Sequence, residues 1–318
     1  MKKTITIMLL IFAFCLTLFA EGGLEQLGFD SSVLEQLTAT IMELQQYEHD
    51  HYYELAEPQL PLEREYTPLG PEGVSYIEYD LSSTSLQKVE IWYPTGLAEK
   101  TYPLVLMVNG SGVPASQYTA VFKHLASWGF IVAGCEDPSM GTGESANQML
   151  FFLLGLNNNP TCPLFGKINI DAIGLCGHSQ GGAGVFSALT VNSPSIYKTA
   201  VSLSPTYEEM AFLLGWTYRL DLLDVPVLMA AGTEGDFETQ LVIPYEQMIA
   251  MYDKIPSPKA MMRRTGSEHG DMLFDADAYM TAWFLWQLKG DTVAAEAFIG
   301  DEPEILSNSN YQDQRLDL

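Results

Sequence analysis

Asp171-Ala172-Ile173-Gly174-Leu175-Cys176-Gly177-His178-Ser179-Gln180-Gly181-Gly182 is the stretch on which the reading of this chain turns. It runs as a short buried strand, then Gly-x-Ser-x-Gly, then a helix that opens on small residues and continues through Leu189. That context is what a nucleophile elbow requires: the turn is so sharp that the serine is strained and its hydroxyl stands free. Gly177 and Gly181 are expected because a Cβ at either would strike the neighbouring strand or helix. The helix N-terminus then aims free N–H groups at the serine. Ser179 is therefore the expected nucleophile.

Outward from the elbow, apolar runs alternate with helical patterns. Residues 73–82 and 86–94 predict a hairpin. Residues 102–109, 130–135, 198–203, 225–231 and 259–264 predict strands buried on both faces. Helical spacing occupies 120–129, 147–156, 240–252 and 275–289. Such alternation predicts an α/β fold with a mostly parallel central sheet and helices on both faces. Residues 23–69 predict an N-terminal helical arm, with Leu34, Leu37, Ile41, Leu44 and Tyr47 at helical spacing. The main domain is expected over 70–300, and 301–318 as a C-terminal tail.

The chain start reads as a signal peptide over 1–22: Met1-Lys2-Lys3, an apolar run over 5–20, then small residues. The run is shorter than the about 20 residues of a membrane span, so export without a stable membrane anchor is expected, to periplasm or medium. The chain holds 15 Lys and Arg against 40 Asp and Glu, a net charge of −25. Such a charge repels nucleic acid, and no basic patch offsets it. No Cys-x-x-Cys or His-x-x-x-His spacing marks a metal site, and no cofactor is implied. Beyond the leader, Cys135, Cys162 and Cys176 allow at most one intramolecular bridge; Cys135 with Cys162 is the pair in question.

A serine nucleophile needs a base, and the base needs an acid that fixes its tautomer. The chain has five histidines. His49 and His51 lie in the arm and His124 inside a helix taken as a surface one. His178 adjoins the serine with its ring expected to point away. His269 follows the last strand, at the carboxyl edge where ligands gather in open α/β sheets, and it completes the order Ser, acid, His. The acid is expected after residues 225–231, where Glu234 and Asp236 both qualify. The oxyanion needs two N–H donors. Gln180 supplies one; Ser111 is the expected second, with Gly112 the alternative. Trp216 and Tyr218 either line an acyl pocket or sit in the core, and the Gly/Ser-rich loop 138–146 is a candidate cover for the site.

Taken together, segments 103–110, 124–133, 165–182, 226–236 and 279–291 resemble the α/β-hydrolases of the dienelactone hydrolase, chlorophyllase and polyester hydrolase (cutinase-like) group. The resemblance covers residues 74–298. In that group the acid commonly lies four residues after the strand-ending glycine, here Gly232, which implies Asp236. The chain departs from the group in three respects, one of them the long N-terminal arm, which lies outside the usual pattern. Ser179 stands where dienelactone hydrolases carry cysteine, and Ser111 and Gln180 stand where polyester hydrolases carry a bulky aromatic and a methionine. The resemblance implies an exported serine hydrolase that cleaves small-molecule or polymeric carboxylic esters through an acyl-enzyme, with Ser179, His269 and Asp236 as triad. Amide or peptide hydrolysis on the same fold, and a catalytically silent binding protein, are the alternative readings.

Overall fold

The computed structural model describes residues 55–191 and 193–318. The expected signal peptide over 1–22 and the expected arm helix over 34–47, with His49 and His51, lie outside the described residues.

Nine strands form one sheet in the order β1-β2-β4-β3-β5-β6-β7-β8-β9. Strands β1 (Val74–Leu81) and β2 (Gln87–Pro94) make the expected antiparallel hairpin, and β2 pairs antiparallel with β4 (Ile131–Cys135). From β4 through β3 (Tyr102–Val108), β5 (Ile168–His178), β6 (Thr199–Leu203), β7 (Val227–Gly232) and β8 (Lys259–Arg264) every pairing is parallel. Such a sheet must be covered on both faces, and period-two alternation along each strand sorts the side chains into two cores. On β3, Leu104, Leu106 and Val108 face one core while Val105 and Met107 face the other. This is the α/β-hydrolase fold.

The first core is covered by α3 (Glu144–Asn157) and α4 (Gln180–Thr190). Trp216 and Tyr218 belong to it: Trp216 packs where a Cβ on Gly141 would stand, and the Tyr218 hydroxyl donates to Thr206 O at 2.8 Å. The second core is covered by α2 (Thr119–Ser127) and α8 (Asp277–Lys289). Helix α8 is buried nearly all round, and its Trp283 indole donates to Thr199 Oγ1 at 2.7 Å. His124 is fully buried on α2 rather than at a surface, its Nε2 2.9 Å from Thr67 O.

Residues 301–318 are not a loose tail. A short helix, α10 (Glu304–Ser307), leads into β9 (Tyr311–Asp317), which pairs antiparallel with β8 and closes that edge of the sheet. The polar composition of β9, Tyr-Gln-Asp-Gln-Arg-Leu-Asp, hides it from hydrophobic patterning and suits an edge strand that meets water. At the other end of the described chain, α1 (Pro61–Tyr66) docks beside it. The Glu304 carboxylate accepts from the Leu62 and Glu63 amides at 2.8 and 2.9 Å, satisfying the first N–H groups of α1. Cys135, Cys162 and Cys176 are all buried and free, so Cys135 and Cys162 do not pair.

Candidate active site

Ser179 links β5 to α4 with φ 60° and ψ −122°, a conformation that costs a non-glycine residue about 1–3 kcal/mol. Its surroundings impose it. The Ser179 amide donates to Leu203 O at 3.0 Å, and its carbonyl accepts from Gly182 and Ala183 at 2.9 and 3.3 Å. A Cβ on Gly181 would lie 1.9 Å from Val108 O, and one on Gly177 2.2 Å from Gly181 O. These are backbone atoms that cannot move aside, so both glycines are obligatory where β3, β5 and α4 converge.

His269 lies in the loop after β8 and is almost fully buried. Its Nδ1 is 2.5 Å from Glu238 Oε2. The expectation for Asp236 is not met in the geometry, since it is Glu238 that faces the histidine. Asp236 is exposed, and its carboxylate accepts from the Gln240 amide at 2.5 Å instead of meeting the histidine. Glu234 is exposed as well. The reason lies in the turn after β7. Residues Phe237–Val242 form a π-helical turn, closed by Ile243 N–H donating to Glu238 O at 2.9 Å, and such turns recur at functional sites. The turn carries Glu238, six residues after Gly232, back under the strand ends while Asp236 faces water.

Glu238 is fully buried, and three donors converge on it. Ser204 Oγ and the Gly232 amide each donate to Oε1 at 2.7 Å, and His269 holds Oε2. Burial alone would push this carboxyl up. The charge of His269 and the hydrogen bonds outweigh that, and its pKa lies below the usual carboxylate value. Ser204, at φ 42°, is itself held in the left-handed region to aim its hydroxyl.

His178 ties the serine segment to the histidine loop. Its Nε2 is 2.9 Å from His269 O, and the two rings lie 4.5 Å apart between centroids. On the other side Phe237 meets the His269 ring edge-on at 4.8 Å. Burial first, and then the charge of His269, lower the His178 pKa to about 3, so this ring stays neutral at ordinary pH.

The loop after β3 is pinned along its length. Asn109 Nδ2 donates to Cys135 O at 2.5 Å and to Asp137 O at 3.0 Å. The Gly110 amide donates to the buried Tyr118 hydroxyl at 2.9 Å, and the Gly112 amide to Pro138 O at 3.0 Å. Gln180 opens α4, where the first N–H groups have no partner within the helix. Its side chain is buried, and Oε1 accepts from the Met140 amide at 2.9 Å. Loop 138–146 is therefore tied at Pro138 to the loop after β3 and at Met140 to the start of α4.

The structure places Ser179, His269, Ser111 and Gln180 at the carboxyl end of the parallel strands; sequence reasoning did not single out Glu238 or Tyr118, nor the bonds that Ser204 and Asn109 make there. Glu238 is visible in the sequence only as one more acid past Gly232, with nothing in the pattern to rank it above Glu234 or Asp236. No group of His, Cys, Asp and Glu among the described residues is arranged to hold a metal ion.

No curated protein matches this chain. The model of the PET hydrolase-like family matches residues 76–315, from the β1–β2 hairpin to the closing strand β9. That span takes in every strand of the sheet and both sides of the candidate site, and the chain belongs to the PET hydrolase-like family of carboxylic ester hydrolases.

Proposed function

We propose that this chain is an exported serine esterase that works through an acyl-enzyme, with Ser179 as nucleophile, His269 as base and Glu238 as the acid that orients it. The observation that carries the reading is the buried His269–Glu238 pair, set through His178 against the segment that holds the strained Ser179. Ser179 Oγ attacks the ester carbonyl carbon while His269 Nε2 takes its proton. Glu238, kept ionised by its donors, accepts from Nδ1–H and stabilises the imidazolium. The amides of Gln180 and Ser111 hold the oxyanion. Ser111 is preferred over Gly112 because the Gly112 N–H is already given to Pro138 O. Collapse expels the alcohol, which takes the proton from His269. Water then attacks the acyl-enzyme, His269 removes its proton, and the acid leaves with Ser179 restored.

The substrate is a small or polymeric carboxylic ester, as the family implies. The Gln180 side chain is committed to Met140 and does not reach for substrate. Export rests on the leader-like residues 1–22; among the described residues no helix is long and apolar enough to cross a membrane.

The test is hydrolysis of p-nitrophenyl esters from acetate to palmitate by the exported form and by Ser179→Ala, with fluorophosphonate labelling in parallel. Loss of both in the variant is expected. Hydrolysis that persists undiminished in Ser179→Ala would sink the reading.

A further inference from the structure

The loop that carries His269 is fastened at both ends by one hydrogen bond. Ser267, two residues before the histidine, donates its hydroxyl to the Asp275 carboxylate, six residues after it. The Ser267 carbonyl accepts from the Thr233 and Glu234 amides at 3.0 Å each, so the near end of the loop is also sewn to the turn that bears Glu238. At the far end, the Tyr311 hydroxyl of β9 donates to Asp275 O at 2.6 Å.

Asp275 does not stand alone. Its Oδ1 lies 3.4 Å from Arg264 Nη2. Arg264 Nη1 lies 3.1 Å from Glu63 Oε1 on α1, and its guanidinium sits 5.2 Å over the Tyr311 ring. Glu63 Oε2 accepts from Asn308 Nδ2 at 2.9 Å and from the Gln59 amide at 2.6 Å. The side chains of Arg264, Glu63 and Asp275 are 8, 3 and 12% exposed. A buried network of this kind holds one geometry, because any member that swings away leaves a charge without a partner in a low-dielectric setting. Regular β pairing slips between Met261 and Arg263, beside the two arginines. Such a bulge re-aims side chains at an edge; Arg263 turns to Gly232 O and Asp313 while Arg264 turns to the network.

We propose that Ser267 and Asp275 are positioning residues for His269, with Arg264 and Glu63 holding Asp275, so that α1 and β9 at the two ends of the described chain set the placement of the catalytic base. The inference rests on His269 being that base. None of the four residues is placed to meet the substrate; each acts through the loop.

Ser267→Ala, Ser267→Thr, Asp275→Asn and Glu63→Gln are made in the full chain, with His269→Ala as control. The readouts are kcat and KM for p-nitrophenyl butyrate, with the folded fraction measured by circular dichroism. Ser267→Ala is expected to stay folded and lose kcat by roughly tenfold to a hundredfold with KM within about twofold, the scale of a misplacement near 1 Å. Ser267→Thr, which keeps the hydroxyl, recovers most of the loss, and Asp275→Asn and Glu63→Gln shift kcat in the same direction. Three results overturn the inference: folded Ser267→Ala with kcat within about twofold of wild type, a loss that only tracks the unfolded fraction, or a threonine variant as poor as alanine, against the tenfold scale expected of a misplaced base. If Asp275→Asn fails to fold, the Ser267 pair decides alone. An active His269→Ala refutes the catalytic reading itself; an inactive His269→Ala beside a fully active Ser267→Ala refutes only the positioning.

Discussion

At Glu238 three donors meet one carboxylate that water does not reach. An amide there would keep the shape, but it would present an N–H to one of those donors and carry no charge to balance an imidazolium. Glu238→Gln should therefore lower kcat by about 10³- to 10⁴-fold, the scale of a triad acid changed to its amide. Asp236→Asn, which touches only Gln240 at the surface, should leave kcat within about twofold, since surface changes of this kind are close to neutral. The reverse ranking would restore Asp236 as the acid. Ser179 and His269 were legible because each sits where a strand ends, and strand ends follow from apolar runs. Glu238 was not. Its place depends on a π turn, and one extra residue per turn leaves no mark in a pattern that reads as helix or loop.

The β5–turn–α4 unit is the most legible element, since few local structures besides an elbow require two glycines four apart around a serine, between a strand and a helix. Its tolerance is correspondingly small. Gly181→Ala would drive a methyl to 1.9 Å from Val108 O, on β3, which pairs with β5. The clash is with backbone, so the strands must separate or the helix must shift. Expression is expected to give insoluble protein, or soluble protein whose Tm falls by several degrees, the change that about 1–3 kcal/mol brings in a chain of this size. A Tm equal to wild type would mean that β3 and α4 are less tightly joined than described. Strand β9 lies at the other extreme of legibility. Its alternate residues cover a sheet edge rather than a core, and the contacts that fix it, Tyr311 with Asp275 and Arg264 with Tyr311, join residues distant in the chain.

Across the whole molecule, His124 and His178 are buried as neutral rings, and that burial sets how the protein meets acid. It lowers their pKa values to about 4 and about 3, against about 6.5 in an unfolded chain. Above that value neither state binds the extra proton and nothing is lost. As pH falls below it the unfolded chain takes up protons that the native one refuses, so stability drops by up to about 1.4 kcal/mol per pH unit for each ring. The His124 share levels off near pH 4, and that of His178 about a unit lower. Glu238, whose pKa is depressed, adds a further loss only below the carboxylate range of about 4.3. Urea unfolding at pH 7, 6 and 5 should show this decline, and a free energy of unfolding that stays flat over that window would contradict it. The buried cysteines have a different consequence. Cys135 on β4 and Cys176 on β5 face opposite cores of the sheet, and burial raises both thiols, Cys135 to about 12. A maleimide cannot reach them, and almost no thiolate forms, while the strands stay together. Alkylation of those two peptides, followed by mass spectrometry, is thus a clock for how often the folded enzyme comes apart, and it runs without touching the candidate site.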